Sequence, residues 1–188
     1  MENAKERMVN ATIELICQGN KPSEITVADI TEKAGVGNGM VNYHFQSKDN
    51  LMKTAVKKVM GCTKKMLSEG LHFEADATPT RKMTAALQRI LDLCAENAEI
   101  SRIAMLEDLE NASSVPHVVG QSELFQSCLA ELCANDPRQM HIRQMATEGF
   151  VNALFLKAAV NLNETGFDFY DKAQRDQAAQ QFIAAMFP

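Results

Sequence analysis

An all-α fold is what this sequence predicts, and three observations carry it. Apolar residues recur at helical spacing in nearly every segment, no alternation of period two runs long enough for a strand, and an N-cap residue followed by proline punctuates the chain at Thr78-Pro79 and Asp136-Pro137. The predicted organisation is an N-terminal three-helix domain with a helix-turn-helix, residues 1–46, followed by a helical body, residues 47–188. The first element of that body, residues 47–70, is a long connecting helix.

Residues 3–18 set Met8, Ala11 and Leu15 beside Val9, Ile13 and Ile16, a helical stripe that Gly19 and Pro22 end. Thr26 reads as an N-cap answered by Asp29 in a capping box, with Ile25 and Ile30 at the two positions of a hydrophobic staple. Ile30 and Ala34 share one face, Gly35 tolerates a positive φ, and Val36 fills the turn. The next helix runs from Gly37 or Asn38 to Phe45, with Val41 and Phe45 inward. Two short helices joined this way cross steeply around one small core. The outer face of the second helix has Gly39 and Tyr43 opposite the inward pair and Met40 and Asn42 on the flanks. It carries no acidic residue, and an amide, a phenol and two glycines suit close approach to a DNA major groove.

Ser47 reads as the N-cap of the connecting helix, which places Lys48 in its first turn. A cation there opposes the helix dipole at a cost of about 0.3–1 kcal/mol. A phosphate docked at that helix end reverses the sign, because free N–H groups and the lysine then both favour it. An ordinary solvated lysine is the alternative. Along the helix Leu51, Ala55, Val59 and Met66 keep helical spacing, and Lys53, Lys57, Lys58, Lys64 and Lys65 give it a basic side.

Further helices are expected from Pro79 to about Glu96, over 98–112 with Asn97 as cap, and over 121–134, with a break from Ser113 to Gly120. The last two are expected over 137–163 and 168–187. The first of these carries Phe150, Val151, Leu154, Phe155, Ala158, Ala159 and Leu162, a sector wide enough to face its own core and a partner. Two such hairpins can pack into a two-fold four-helix seam, a homodimer through 137–163 and 168–187; a larger monomeric core is the other reading.

Composition narrows the class. Net charge is −5, but residues 1–65 hold ten basic and seven acidic residues while residues 66–188 hold nine and seventeen, so a +3 segment precedes a −8 one. That is the sign expected of a DNA-reading head on an acidic body. No secretory or membrane-spanning run is present, and five cysteines without framework spacing fit a reducing compartment, so a cytoplasmic protein is expected. No phosphate-cradling glycine loop, His-Glu-x-x-His or nucleophile elbow occurs, and Cys128 and Cys133, five apart, fall on different sides of a helix. Neither an enzyme, a metal site nor a cofactor is expected. Eleven methionines without tryptophan instead suggest an interior that can repack around a ligand.

The run Ala34-Gly-Val-Gly-Asn-Gly-Met-Val-Asn-Tyr-His-Phe-Gln-Ser-Lys48-Asp-Asn-Leu51 resembles the DNA-binding signature of TetR-like transcriptional repressors, over about residues 5–55. Two departures stand out. Gly37 replaces a serine whose hydroxyl in that family caps the recognition helix, and Asn42 stands where tyrosine is usual, with Tyr43 one residue later. The resemblance implies a dimer reading a palindromic double-stranded DNA operator through Thr26, Gly37, Asn38, Gly39, Met40, Asn42, Tyr43, His44 and Lys48. It also implies a small-molecule effector in the body, with Met83, Leu87, Met105, Leu109, His117, Phe125, Glu148 and Asn152 as candidate contacts. The alternative is a helix-turn-helix interaction protein that works through protein contacts.

Overall fold

The computed structural model describes residues 3–69, 73, 76–111 and 123–187, with the side chains of residues 60, 62–69 and 107–111 left aside. Every regular element among the described residues is an α-helix. Packing divides the chain into two compact units: residues 1–62 with 99–104, and residues 63–98 with 105–188.

In the first unit α1 (Ala4–Cys17) starts at Asn3, whose side chain accepts the Glu6 N–H at 2.9 Å. α2 (Val27–Ala34) starts with the capping box expected of Thr26 and Asp29: the Asp29 N–H reaches Thr26 Oγ1 at 3.1 Å and the Thr26 N–H reaches Asp29 Oδ2 at 2.7 Å. The backbone and hydroxyl of Thr26 hold the Asp29 carboxyl below its usual range. Ile25 and Ile30 are both buried, as a staple requires. Gly35 ends α2 at φ +62°, ψ +45°, and the Val36 N–H closes on the Thr31 carbonyl at 2.9 Å. A Cβ at Gly35 meets only the Arg7 guanidinium, at 3.7 Å, so the demand for glycine is conformational. Gly35→Ala is accordingly expected to destabilise this unit by roughly 1–2 kcal/mol. A thermal midpoint equal to that of the native chain would show that the turn does not need the left-handed conformation.

α3 (Gly39–Phe45) and α4 (Lys48–Glu69) follow. Met8, Ile16, Ile25, Ile30, Val41, Leu51 and Ala55 form one core, which Ile100 from the first turn of α6 (Ala98–Asn111) completes. α3 begins at Gly39, a residue or two later than its sequence suggests, with Asn38 at the N-cap.

The second unit is built around α5 (Pro79–Glu96), capped by Thr78, whose hydroxyl accepts the Arg81 N–H at 3.3 Å. Met83, Ala86, Leu87, Ile90 and Leu91 are fully buried. α5 packs on α7 (Glu123–Leu132), α8 (Pro137–Leu156) and α10 (Lys172–Met186). Asn97 closes α5 instead of opening α6: its amide donates to the Leu93 carbonyl at 3.1 Å.

The single helix expected over 137–163 is two. α8 stops at Leu156, Lys157 leaves helical geometry (φ −104°, ψ 19°), and α9 (Ala158–Thr165) resumes. Asn161 stabilises the break: its amide turns back to the carbonyls of Ala153 and Leu154 at 3.2 and 3.5 Å and satisfies acceptors that the break sets free. The last helix starts at Lys172, not 168, because Asp171 caps it, accepting from the N–H groups of Ala173 and Gln174 at 2.8 and 3.3 Å.

The preceding turn buries Phe169 completely. Arg175, 6 % exposed, lies under it, with Nη1 donating to the Phe169 carbonyl and Nη2 to Asp92 Oδ1 on α5, each at 2.8 Å. Lys172 Nζ reaches Asp92 Oδ2 at 2.8 Å. Burial by itself raises the Asp92 carboxyl, but the hydrogen bonds and charges of Lys172 and Arg175 outweigh it and hold the group below its ordinary value. No helix among the described residues is long and apolar enough to cross a membrane.

Candidate nucleic-acid interface

α3 is amphipathic over only seven residues. Val41 and Phe45 point into the core at 0 % and 6 % exposure, whereas Tyr43 stands 80 % exposed. Gly39 and Asn42 are exposed beside it, and Met40 and His44 are half-buried on its flanks. The Tyr43 and His44 rings meet edge-on, with centroids 4.8 Å apart. Gly37 and Asn38 are exposed ahead of the helix, and Thr26 is exposed at the start of α2. The nine residues singled out in sequence for DNA thus all lie in the first unit, and all but Met40, His44 and Lys48 are exposed.

Both ends of α3 are fixed from outside it. At its C-terminal end Gln46 adopts φ +69°, ψ −31°, a conformation few non-glycine residues take, and its N–H closes on the Asn42 carbonyl at 3.0 Å. The Phe45 carbonyl receives the Asn50 amide at 3.0 Å. Strain of this kind persists where surrounding contacts over-determine it. At the other end the Thr31 hydroxyl of α2 donates to the Asn38 side-chain oxygen. Sequence reasoning passed over Thr31, Gln46 and Asn50. Only Asn50 left a readable signal, since it stands three residues after Ser47, whose hydroxyl accepts the Asn50 N–H at 3.1 Å as the N-cap of α4.

Lys48 is half-buried, and its ammonium donates to the carbonyls of Pro22 and Ile25 at 3.1 and 2.9 Å. It therefore straps the segment that leads into α2 onto the start of α4. A lysine has three N–H donors, so one remains for another acceptor. Two further cations have internal partners: Lys5 Nζ lies 5.7 Å from the Phe45 ring centroid, and Lys58 Nζ donates to Asn10 at 2.8 Å.

In the second unit Met83, Leu87, Met105 and Phe125 are buried. Glu148 and Asn152 are half-buried on α8, and Glu148 takes part in a polar chain: Gln126 donates to Gln144 at 3.2 Å, and Gln144 to Glu148 at 2.9 Å. The Leu109 side chain and His117 lie outside the described residues. Burial pushes the Cys128 thiol up, which keeps it protonated at neutral pH.

Two crossed helices, a left-handed glycine between them and an exposed, acid-free second helix define a helix-turn-helix DNA-binding protein. Residues 10–55 match the family model described as "Bacterial regulatory proteins, tetR family". The regulator BetI from Escherichia coli O17:K52:H18 is 25 % identical over 166 residues, covering 84 % of this chain and 83 % of its own. Among solved structures, Bacillus subtilis FadR in complex with stearoyl-CoA superposes with a TM-score of 0.62 at 16 % identity, covering 95 % of this chain and 97 % of its own. The multidrug binding protein EbrR complexed with ethidium does so with a TM-score of 0.62 at 18 % identity, covering 99 % of each chain. Residues 10–55 thus carry a TetR-like DNA-binding segment, and most of the chain is similar to a helix-turn-helix transcriptional regulator.

Proposed function

We propose that this chain is a dimeric cytoplasmic repressor that holds a palindromic operator and is released from it by a small molecule. The observation that carries the reading is the α3 face, where Tyr43 stands in solvent while Val41 and Phe45 anchor the helix from behind. Tyr43 and the third N–H of Lys48 serve as phosphate contacts; Thr26, Gly37, Asn38, Gly39, Met40 and His44 complete the surface; and Asn42 reads base edges. Residues 1–46 are the DNA-reading part and residues 47–188 the effector-binding and dimerising part.

Two further features support the rest of the reading. Ile142 and Met145 are exposed on α8 and continue into exposed Gly149 and Ala153 on the same helical face, while α10 exposes Ala184 and Ala185. Large apolar groups beside small ones suit a two-fold helix seam. For the effector, FadR and EbrR are solved with an acyl-CoA and with ethidium. A bulky, largely apolar ligand in this chain would part the packing around Met83, Leu87, Met105 and Phe125, with Glu148 and Asn152 orienting it, and Leu109 and His117 as further contacts. Release requires only that the ligand favour a head spacing other than the 34–36 Å or so of successive major grooves.

Binding of the purified chain to a random duplex pool tests this. Tyr43→Ala is expected to weaken every duplex alike, whereas Asn42→Ala is expected to change which sequences are enriched. If Asn42→Ala enriches the same sequences as the native chain, base reading by Asn42 is wrong; if no duplex is retained at all, the proposal itself fails.

A further inference from the structure

We propose that Asn50 is a positioning residue for DNA recognition: its amide clasps the open end of α3 to the first turn of α4 and so fixes Asn42 and Tyr43 in relation to Lys48. The inference rests on the DNA-reading role given to α3 above.

A seven-residue helix is not stable by itself and takes its geometry from what holds its ends. The last carbonyls of such a helix have no partner within it. In α3 the Gln46 N–H closes that of Asn42 at 3.0 Å, and the Asn50 side chain closes that of Phe45, also at 3.0 Å. The direction of the second bond is unambiguous. A backbone carbonyl only accepts, so the amide nitrogen of Asn50 is the end that faces it.

The clasp has a fixed base. Asn50 lies in the first turn of α4, where its own N–H is held by Ser47 Oγ at 3.1 Å. In the usual capping box a side chain at this position returns an oxygen to the N-cap N–H. Here it returns a donor, past the N-cap, to the helix before. The link that it crosses is the strained one, Gln46 at φ +69°, ψ −31°. On the far side Phe45 is buried in the core of the first unit, so the carbonyl that Asn50 holds belongs to a residue that anchors α3. Lys48 meanwhile holds the carbonyls of Pro22 and Ile25 ahead of α2. One turn of α4 thus grips the helix pair where it begins and where it ends. A lysine on α4 and a base reader on α3 meet one duplex only at a set angle between the two helices, and an angle left free would have to be ordered on binding, at a cost in affinity. A phosphate contact by Lys48 survives a loose α3; base reading by Asn42 does not. Asn50, which need not touch DNA, therefore governs specific binding more than non-specific binding.

The test uses the full chain and two readouts. Asn50→Ala removes the amide but keeps the N–H that Ser47 caps, so α4 still starts as it does. Without DNA, hydrogen exchange at the Gln46 amide is expected to quicken about fivefold, the size of one lost hydrogen bond. Exchange at the Val36 amide, which closes the α2 turn on Thr31, should stay native. With DNA, affinity for the native chain's best duplex is expected to fall about tenfold, the size of one lost specific contact, while affinity for an unselected duplex is unchanged. Equal quickening at Gln46 and Val36 would make Asn50 a prop for the whole head, and no quickening would make the clasp idle. Either result overturns the proposal, as does an equal fall for both duplexes. Should alanine unfold the head, Asn50→Asp decides: it keeps the size, suits the first turn of a helix and sets a carboxylate oxygen against the Phe45 carbonyl, so native exchange at Gln46 overturns the proposal. A native chain that prefers no duplex would defeat the DNA-reading role and this proposal with it, whereas a failed exchange result defeats this proposal alone.

Discussion

Lys48→Ala is expected to weaken operator binding at least tenfold and to lower the thermal midpoint of the chain by a few degrees. The two effects have separate origins. The ammonium donates to the carbonyls of Pro22 and Ile25, which precede α2, from the first turn of α4. Hydrogen bonds involving a charged group contribute about 1.5–3 kcal/mol net; at this half-buried site, where water can replace the ammonium at the two carbonyls, their joint loss costs about 1–2 kcal/mol. For a chain of this size that is roughly 2–4 °C per kcal/mol. The affinity loss has a second source, the phosphate contact proposed for the third N–H. Each phosphate neutralised contributes about 0.9 to the slope of log affinity against log salt, so a symmetric pair of lysines accounts for about 1.8. A fallen midpoint with an unchanged salt slope would make Lys48 purely an internal strap; if neither changed, the role drawn from its two carbonyl partners would be refuted.

Asp92→Ala is expected to have the largest effect on stability. It removes the carboxylate that meets Arg175 and Lys172, and leaves Arg175, 6 % exposed, with the Phe169 carbonyl as its remaining hydrogen-bond partner among the described residues. A buried charge stripped of its counter-ion costs about 3–5 kcal/mol. The tie also predicts a pH dependence. The Asp92 carboxyl is held below its ordinary value in the folded chain, so its stabilisation is complete above about pH 4, the unfolded value, and is lost as pH falls through the lower folded one. The Lys172 ammonium is held above its ordinary value, chiefly by its hydrogen bond to Asp92, so its share is present through neutrality and is lost only as pH rises past about 10.5. Melting curves of the native chain and Asp92→Ala should therefore be well apart at pH 7 and draw together in acid. Equal midpoints at pH 7 would show that the link between α5 and α10 does not stabilise the fold.

The parts of this structure that local chemistry determines were legible in the sequence. Thr26 with Asp29, Gly35, Ser47, Thr78-Pro79 and Asp136-Pro137 each act within four residues of themselves, and each marks the helix end that it announces. The inward pair Val41 and Phe45 followed from spacing alone, and with it the exposure of Tyr43. What escaped notice depends on partners distant in sequence or on side chains with two roles. Nothing near Asn161 in sequence marks its part in the break, where its amide donates to the carbonyls of Ala153 and Leu154 in the last turn of α8. Nor does anything near Arg175 in sequence mark it, because its partner Asp92 on α5 lies 83 residues away. Lys48 reads as a phosphate ligand from its motif; that it also holds two carbonyls more than twenty residues upstream is information that only the folded chain contains.

The central claim is that α3 enters duplex DNA from a two-fold dimer. Selection from a random duplex pool by the purified full chain, with the mass of the bound complex measured alongside, tests it most directly. The account predicts an inverted repeat whose half-sites lie about 10 base pairs apart, centre to centre, or a multiple of that, with two chains on each duplex. Enrichment of an asymmetric site bound by a single chain, or retention of every duplex alike, would contradict it.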